Sequence, residues 1–272
     1  MSLWKTLKRG TFFWTFVLLA AYLVYIYPIQ RLTDWLNYPG LLNLPTIVGL
    51  WLLVTAVLRL SFRSSSRTLE MILYNWMGIG FVFLCLCFIY ELLRLGLALD
   101  DYWAGIGILI AGACITIFAL ATAQRLSCKQ LEFRDPKLTR KYRLVQISDV
   151  HIGSRSVGFL RQVVEAINTQ NPTLIVITGD FLDAKRVQAK DIAPLKNLKA
   201  PVYLSIGNHE RYAGLDWVIP LLEDAGVVVL RSQAVKVGEL QLIGIDDAED
   251  KNQVRRERAK IELDPECFKI LL

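Results

Sequence analysis

Apolar residues run almost without interruption through the first half of the chain, whereas the second half alternates short apolar runs with polar segments. An α-helix needs about 20 apolar residues to cross the hydrocarbon core of a bilayer. Four stretches approach this length, at residues 12–29, 41–60, 71–90 and 103–123. The pattern therefore predicts an N-terminal four-helix transmembrane region over residues 1–125.

The distribution of charge supports the same division of the chain. Residues 1–125 hold 14 charged side chains, whereas residues 126–272 hold 42. This contrast excludes a water-soluble first domain and a membrane-embedded second domain. The net charge of +6 is too diffuse for the basic face that nucleic-acid binding requires. We therefore predict no nucleic-acid binding, and the sequence indicates no protein partner.

Basic residues favour one side of the predicted helices. Membrane proteins concentrate Lys and Arg in their cytoplasmic loops. The basic residues of the N-terminus, the second loop and the segment after the fourth helix are Lys5, Lys8, Arg9, Arg59, Arg63, Arg67, Arg125, Lys129, Arg134, Lys137, Arg140, Lys141 and Arg143. The first and third loops hold only Arg31 and Arg94. This asymmetry predicts that the N-terminus and residues 126–272 lie on the cytoplasmic side.

Residues 126–272 have the pattern of an α/β domain. Strands are predicted at residues 142–148, 174–178, 201–206, 227–231, 234–237 and 240–245. Apolar residues recur at helical spacing from Leu160 to Ile167, and helices are also predicted at residues 191–198 and 215–225. This alternation is typical of a layered domain whose sheet is at least partly parallel.

Three of these strands end in residues with the chemistry of metal ligands. The strands are followed by Asp149-Val150-His151, Gly179-Asp180-Phe181-Leu182-Asp183 and Gly207-Asn208-His209-Glu210. The carboxyl ends of parallel strands meet at one edge of a sheet, where α/β proteins bind ligands. Both histidines of the chain lie in these loops. Because carboxylate, amide and imidazole donors suit divalent ions, the pattern predicts a metal site at this edge.

The segments SDVHIG, GDFLD and GNHE resemble the D-x-H, G-D-x-x-D and G-N-H-D/E blocks of calcineurin-like metallophosphoesterases, in the same order. The resemblance covers residues 144–272, and a multi-helix anchor before such a domain is similar to the membrane-bound bacterial members. It implies a β-sandwich flanked by helices, two divalent metal ions, and hydrolysis of a phosphomonoester or phosphodiester. It also implies a multi-pass protein of the bacterial inner membrane, and the nearby bilayer favours a lipid-linked substrate.

The resemblance implies a role for each main residue of the motifs. Asp149 and His151 would bind the first metal ion. Asp180 would bridge the two ions, and Asn208 would bind the second. His209 would contact the phosphate and protonate the leaving oxygen as the catalytic acid. The donor set suits Mn²⁺, Fe and Zn²⁺ and does not distinguish them.

Two more acidic residues of the motifs are expected behind these ligands. Asp183 and Glu210 would support the metal-binding side chains, and Asp183 would hold His209.

The sequence departs from the family pattern after the third motif. Family members supply a further histidine and then a Gly-His-x-His block, and nothing from Asp246 onward matches these. The second metal ion would then keep only Asp180 and Asn208, and residues 267–272 have the pattern of a strand that has just begun. We therefore expect a C-terminally truncated domain with an incomplete second sheet, an incomplete second metal site and impaired activity.

Two other functions are compatible with the sequence. The chain could be a non-catalytic membrane scaffold or binding protein with a degenerate phosphoesterase domain. Alternatively, the helices could be the functional part, as in a transporter. The predicted spans hold almost none of the ionisable residues that mark transport pathways, so anchoring is the favoured interpretation.

Overall fold

The structure is a computed structural model that describes residues 15–38, 40–61, 67–183, 186–247, 250 and 252–272. The chain divides into two compact units, Met1–Arg125 and Leu126–Leu272. Residues 12–14 of the first predicted span and the basic residues Lys5, Lys8, Arg9 and Arg63 lie outside the described residues.

The N-terminal unit consists of apolar helices. These are α1 (Thr15–Trp35), α2 (Leu44–Ser61), α3 (Arg67–Leu93) and α4 (Asp101–Ala123). Three of them, α1, α3 and α4, are long and apolar enough to cross a membrane. The apolar stretch of α2, Leu44–Leu60, is shorter. The described residues therefore contain three candidate spans where the sequence predicted four.

A small core and ion pairs such as Arg31–Glu91 join the helices of this unit. The buried core residues are Leu32, Trp35, Cys87, Tyr90 and Ile108. Beside them, the Arg31 Nε donates a hydrogen bond to the Glu91 Oε1 at 2.6 Å. This pair links α1 to α3, because each residue comes from one of these helices.

The C-terminal unit alternates strands and helices. Its strands are β1 (Leu144–Ile147), β2 (Leu174–Thr178), β3 (Val202–Ser205), β4 (Val227–Leu230), β5 (Gln233–Val237), β6 (Leu240–Gly244) and β7 (Phe268–Leu271). Its helices are α5 (Val157–Thr169), α6 (Ala189–Ile192), α7 (Asn208–Ala213), α8 (Leu215–Asp224) and α9 (Gln253–Lys260). A 3₁₀-helix, Ala193–Asn197, follows α6 directly. The predicted alternation of strands and helices is therefore confirmed.

The strands form two sheets. The first has the order β1-β2-β3-β4, and all its neighbouring strands are parallel. The second has the order β5-β6-β7, with β5 antiparallel and β7 parallel to β6. Leu174 and Val176 of the first sheet share a buried cluster with Leu240 and Leu242 of the second. The predicted parallel sheet is confirmed, whereas the β-sandwich stays a prediction.

Two helices of this unit have no counterpart in the prediction. The helix α7 has only six residues and begins at the Asn208 of a predicted ligand motif. The helix α9 has the sequence QVRRERAK, so it carries too few apolar residues for a helical period to be visible. Both helices carry or support residues near the predicted metal site, as described below.

Candidate metal centre

The three predicted motifs follow three neighbouring parallel strands. The strand β2 pairs with β1 on one side and with β3 on the other. Because the strands are parallel, the loops after them leave the sheet at the same edge. One loop carries Asp149 and His151, the next carries Asp180, and the third carries Asn208 and His209. The order of strands in the sheet thus brings together residues that are up to 60 positions apart in sequence.

The backbone of the first two loops is strained at the predicted ligands. Asp149, His151 and Asp180 have φ values of 56°, 53° and 53°, in the left-handed region that non-glycine residues rarely adopt. The His151 N–H donates a hydrogen bond to the Asp180 carbonyl oxygen at 3.1 Å, which ties the two loops together. Such strain costs about 1–3 kcal/mol per residue and clusters at functional sites.

Two glycines let the second and third loops approach each other. A Cβ atom on Gly207 would come within 2.3 Å of the Asp180 Oδ1 and 2.6 Å of the Asp180 N. A Cβ on Gly179 would lie 2.8 Å from the Gly207 Cα, and Gly179 itself has a φ of 75°. No larger side chain fits at either position without displacing backbone, so the two glycines set the place of Asp180.

Three side chains converge at the edge of the sheet. His151, Asp180 and His209 each offer one donor atom, and these atoms all lie within 4.8 Å of one another. The rings of His151 and His209 are 4.6 Å apart between centroids. In addition, the His209 backbone N–H donates to the Asp180 Oδ1 at 3.0 Å. Two imidazoles and a carboxylate at this spacing are a donor set that fits a divalent metal ion.

The other two predicted ligands lie next to this group. The Asp149 Oδ1 is 3.8 Å from the His151 Nε2, and the Asp149 side chain is 65% exposed. Asn208 is the first residue of α7. Asp149, Asp180 and Asn208 line one cleft, which has a volume of about 370 Å³. The five residues predicted to bind metal or to act as the catalytic acid therefore lie close together in the fold.

Glu210 is completely buried behind the centre. Its Oε2 accepts hydrogen bonds from the backbone N–H groups of Asp180 and Gly207, both at 2.9 Å. Its Oε1 accepts a third from the Leu182 N–H at 2.8 Å. A buried carboxylate is costly unless it is hydrogen-bonded in this way. Glu210 thus holds the loops that carry Asp180 and Asn208 against each other.

The structure corrects the partner expected for Asp183. The Asp183 Oδ2 lies 3.6 Å from the His151 Nδ1, so this carboxylate is beside His151 and not beside His209. Its Oδ1 accepts a hydrogen bond from the Ser154 N–H at 3.0 Å, which fixes the orientation of the carboxylate. The reason is local, because the Asp183 N–H also donates to the Ile152 carbonyl oxygen, next to His151.

The cleft has a second wall that sequence reasoning missed. Asp246, Asp247, Asp250 and Gln253 line it together with the predicted ligands. A signal was present, because Asp246 and Asp247 directly follow an apolar strand, as the three recognised motifs do. The Asn252 N–H and the Arg256 guanidinium hold the pKa of Asp250 below its ordinary value.

Comparisons with known proteins support a metal site in this part of the chain. Residues 142–253 match the family model for the calcineurin-like phosphoesterases. An uncharacterized metallophosphoesterase of Campylobacter jejuni is 27% identical over 143 residues, covering 50% of this chain and 38% of that protein. A Danio rerio transmembrane protein with metallophosphoesterase domain is 33% identical over 127 residues, covering 42% of this chain and 29% of the relative.

A third relative is named as an enzyme. The UDP-2,3-diacylglucosamine pyrophosphatase LpxG of Chlamydia muridarum is 33% identical over 95 residues, covering 31% of this chain and 28% of that enzyme. The chain thus spans less than half the length of each of these three relatives.

Fold, site and comparisons agree on one class of protein. A parallel α/β sheet that gathers imidazole and carboxylate donors at its strand ends is typical of metal-dependent hydrolases. Residues 142–253 match the calcineurin-like phosphoesterases in particular, so the chain carries a calcineurin-like metallophosphoesterase domain. The three long apolar helices among the described residues, together with the transmembrane relative from Danio rerio, indicate association with a membrane.

Proposed function

We propose that this protein hydrolyses a phosphomonoester or phosphodiester at the centre formed by His151, Asp180 and His209. The convergence of these three side chains from three strand ends, with donor atoms within 4.8 Å of one another, is the observation that carries the proposal. The match of this part of the chain to the phosphoesterase family supports it.

The proposed centre holds divalent metal ions. Asp149 and His151 would hold the first ion, Asp180 would bridge, and Asn208 would hold the second. When bound, such ions lower the pKa of water and stabilise charge on a phosphoryl group. Asp149, His151 and Asp180 would give the first ion three donors, whereas Asp180 and Asn208 would give the second ion two. We therefore expect the first ion to bind more tightly than the second.

His209 is proposed as the catalytic acid that protonates the leaving oxygen. Its backbone N–H donates to Asp180, which holds the residue close to the reacting groups. Its ring is also near enough to His151 and Asp180 to be a metal ligand instead. The two roles differ in a measurable way, because a ligand is needed for metal binding and an acid is needed only for turnover.

Two buried acids position the proposed ligands. Glu210 accepts three backbone hydrogen bonds and so fixes the loop that carries Asp180. Asp183 lies 3.6 Å from the His151 Nδ1 and would set which ring nitrogen of His151 faces the metal ion.

The test compares metal content and phosphodiesterase activity in the full-length protein purified in detergent. Asp180→Ala should lose bound Mn²⁺ and all activity, since the bridging carboxylate is gone. His209→Ala should keep Mn²⁺ and lose about 10²–10⁴-fold in kcat if the residue is a general acid. Asp224→Ala removes an exposed carboxylate from the end of α8 and should match the wild type.

The same experiment separates the enzyme from its main rival, a non-catalytic membrane scaffold. A wild-type protein that binds Mn²⁺ but hydrolyses no phosphoester would favour the scaffold. Normal activity in Asp180→Ala would contradict the proposed centre itself.

A lipid-linked phosphoester is the proposed substrate class. The support is the presence of apolar helices in the same chain and the diacylated glucosamine in the name of the Chlamydia muridarum relative. Hydrolysis of phospholipid-derived esters in mixed micelles should exceed hydrolysis of soluble nucleotides. Activity on nucleotides alone would contradict this proposal.

The proposed location is the inner membrane of a bacterium, with α2 as a fourth span. Four spans place the N-terminus and the C-terminal unit on the same side, whereas three spans place them on opposite sides. The asymmetry of Lys and Arg favours the same, cytoplasmic side.

Cys128 allows this orientation to be measured, because it follows α4 and is free and exposed. A membrane-impermeant maleimide should label it only after the cells are permeabilised. Cys128→Ser provides the background, and labelling in intact cells would contradict the cytoplasmic orientation.

A further inference from the structure

The cleft beside the metal centre has a wall that includes Asp246, Asp247 and Asp250, which follow β6, and Gln253, the first residue of α9. Asp246 and Gln253 lie in this wall and face the same cleft as Asp180 and Asn208. The Asp247 N–H donates to the Ile206 carbonyl oxygen at 2.9 Å, just before the loop that carries Asn208. The wall is therefore fixed to the strand end that bears the proposed ligands.

Two acceptor oxygens in this wall have no hydrogen-bond partner among the described residues. Gln253 is only 8% exposed, and its Nε2 donates to the Asp246 carbonyl oxygen at 2.7 Å. Its Oε1 is buried without a donor. The Asp246 side chain is 14% exposed; its Oδ2 accepts from Arg231, and its Oδ1 has no partner. Native proteins rarely leave such groups unsatisfied, so these oxygens point to a ligand that donates hydrogen bonds.

The charges of the wall indicate whether the hydrogen-bond donor of the ligand is neutral or cationic. The carboxylate of Asp246 pairs with Arg231 at 2.5 Å, and that of Asp247 pairs with Arg211 at 2.8 Å. Asp250, the third acid of the wall, pairs with Arg256. Since an arginine faces each of these three carboxylates, the described residues of the wall carry no surplus negative charge that would attract a cation. Neutral donors, such as the hydroxyl groups of a polyol, fit it better than an ammonium group.

We propose that Asp246 and Gln253 form a hydroxyl-binding subsite that recognises the alcohol part of a phosphoester whose phosphate lies at the metal centre. The proposal rests on the proposed function for the position of the phosphate. It narrows the substrate class to phosphoesters of polyhydroxylated alcohols, such as glycerol or sugar derivatives. A site built to satisfy a substrate hydroxyl rejects analogues that lack it, because its own buried acceptors are then left unpaired.

The test uses three phosphate esters of similar size with Mn²⁺-loaded, full-length protein in detergent. Glycerol 3-phosphate carries two hydroxyl groups, n-propyl phosphate carries none, and phosphoethanolamine carries an ammonium group. Isothermal titration calorimetry gives the Kd of each ester, and phosphate release gives kcat and KM. We expect glycerol 3-phosphate to bind roughly tenfold more tightly than n-propyl phosphate, the effect of about one hydrogen bond.

Variants then assign this preference to Gln253. Gln253→Met keeps the length of the side chain and removes the acceptor, so the tenfold preference should fall to about one. Gln253→Glu keeps an acceptor oxygen and should retain part of the preference. The loss in Gln253→Met is then due to the missing acceptor and not to a change in the local structure. Gln233→Met changes an exposed glutamine on β5 and should behave like the wild type.

The outcomes separate this proposal from the proposed function. Equal affinity for glycerol 3-phosphate and n-propyl phosphate overturns the subsite, even if a general substrate such as bis(p-nitrophenyl) phosphate is hydrolysed. A preference for phosphoethanolamine that depends on Gln253 overturns the choice of hydroxyl groups. If the wild type hydrolyses none of these esters but binds glycerol 3-phosphate more tightly, the subsite stands and the proposed function fails.

Discussion

The two units of this chain use apolar residues in opposite ways. In the N-terminal unit, large apolar side chains face outward, as Trp103 and Phe118 do at 69% and 72% exposure. In the C-terminal unit, residues of the same kind, such as Phe181 and Leu204, are fully buried. Exposed apolar surface on this scale is stable only against lipid or another apolar partner. The N-terminal unit therefore has the apolar surface of a protein that lies in lipid, whereas the C-terminal unit has the apolar core of a protein that folds in water.

This difference changes what holds each unit together. Burial from water stabilises the C-terminal unit, whose parallel sheet has almost completely apolar central strands. Between helices that lie in lipid, burial gives little, and close backbone contacts and polar pairs matter more. In the N-terminal unit such contacts include the hydrogen bond of the Tyr25 hydroxyl to the Leu73 carbonyl oxygen and the Arg31–Glu91 pair.

The largest effect is expected at Gly207 in the C-terminal unit. In Gly207→Ala the new Cβ would collide with the Asp180 carboxylate and backbone, and so displace the proposed bridging ligand. We expect kcat/KM for bis(p-nitrophenyl) phosphate to fall about 10²-fold or more, the cost of a misplacement near 1 Å. Gly158→Ala is the control, since its Cβ would meet only the Ser156 Oγ at an ordinary 3.6 Å. Equal rates in the two variants would contradict the tight contact between the loops.

A smaller effect is expected at Glu210, behind the same loops. Glu210→Gln replaces one acceptor oxygen with an NH₂ group that faces backbone N–H donors. The loss of hydrogen bonds to a buried charge should cost about 2–3 kcal/mol and lower the Tm of the C-terminal unit by roughly 5–10 °C. Glu223→Gln changes an exposed residue of α8 and should leave the Tm as it is. A Tm that does not differ between these variants would show that Glu210 does not hold the loops.

Much of the fold and of the site was predictable from local patterns in the sequence. The strand β2 has the predicted bounds, because its fully apolar run is followed at once by Gly179. The three ligand motifs were recognisable because strand ends carry the chemistry in α/β domains. Asp149, His151 and Asp180 were found in this way, although the roles of these residues stay predictions.

Other features depend on contacts that no local pattern contains. The role of Glu210 arises only when the chain brings Asp180 and Gly207 to the same carboxylate. Likewise, the expected pairing of Asp183 with His209 was replaced by a contact with His151, which the loop after β1 determines. The helix α9 was not predicted because it has no apolar face. Gln253, which begins this helix and lines the cleft, was therefore not predicted as a site residue.

The third prediction concerns close packing in the N-terminal unit. In Gly80→Ala the new Cβ would lie 2.2 Å from the Val24 carbonyl oxygen, so α1 and α3 must separate. Overpacking of this kind costs about 1–3 kcal/mol and should lower the melting temperature of this unit in detergent. Nothing lies within 4 Å of a Cβ on Gly78, which makes Gly78→Ala the matched control. If both variants melt alike, close backbone contact does not stabilise these helices.

The smallest effect is expected at a surface ion pair of the C-terminal unit. The Lys236 ammonium and the Glu266 N–H lower the pKa of Asp264 from 3.8 to about 2. A carboxyl whose pKa is depressed in the folded state stabilises the protein above its ordinary pKa, and this contribution disappears as the pH falls towards 2. The Lys236 side chain is well exposed, so solvent and salt screen the pair and the effect is small. The difference in Tm between the wild type and Asp264→Asn should therefore shrink from pH 5 to pH 2 and shrink further in high salt. A difference that is constant with pH would mean that Asp264 acts through its shape or its hydrogen bonds and not through its charge.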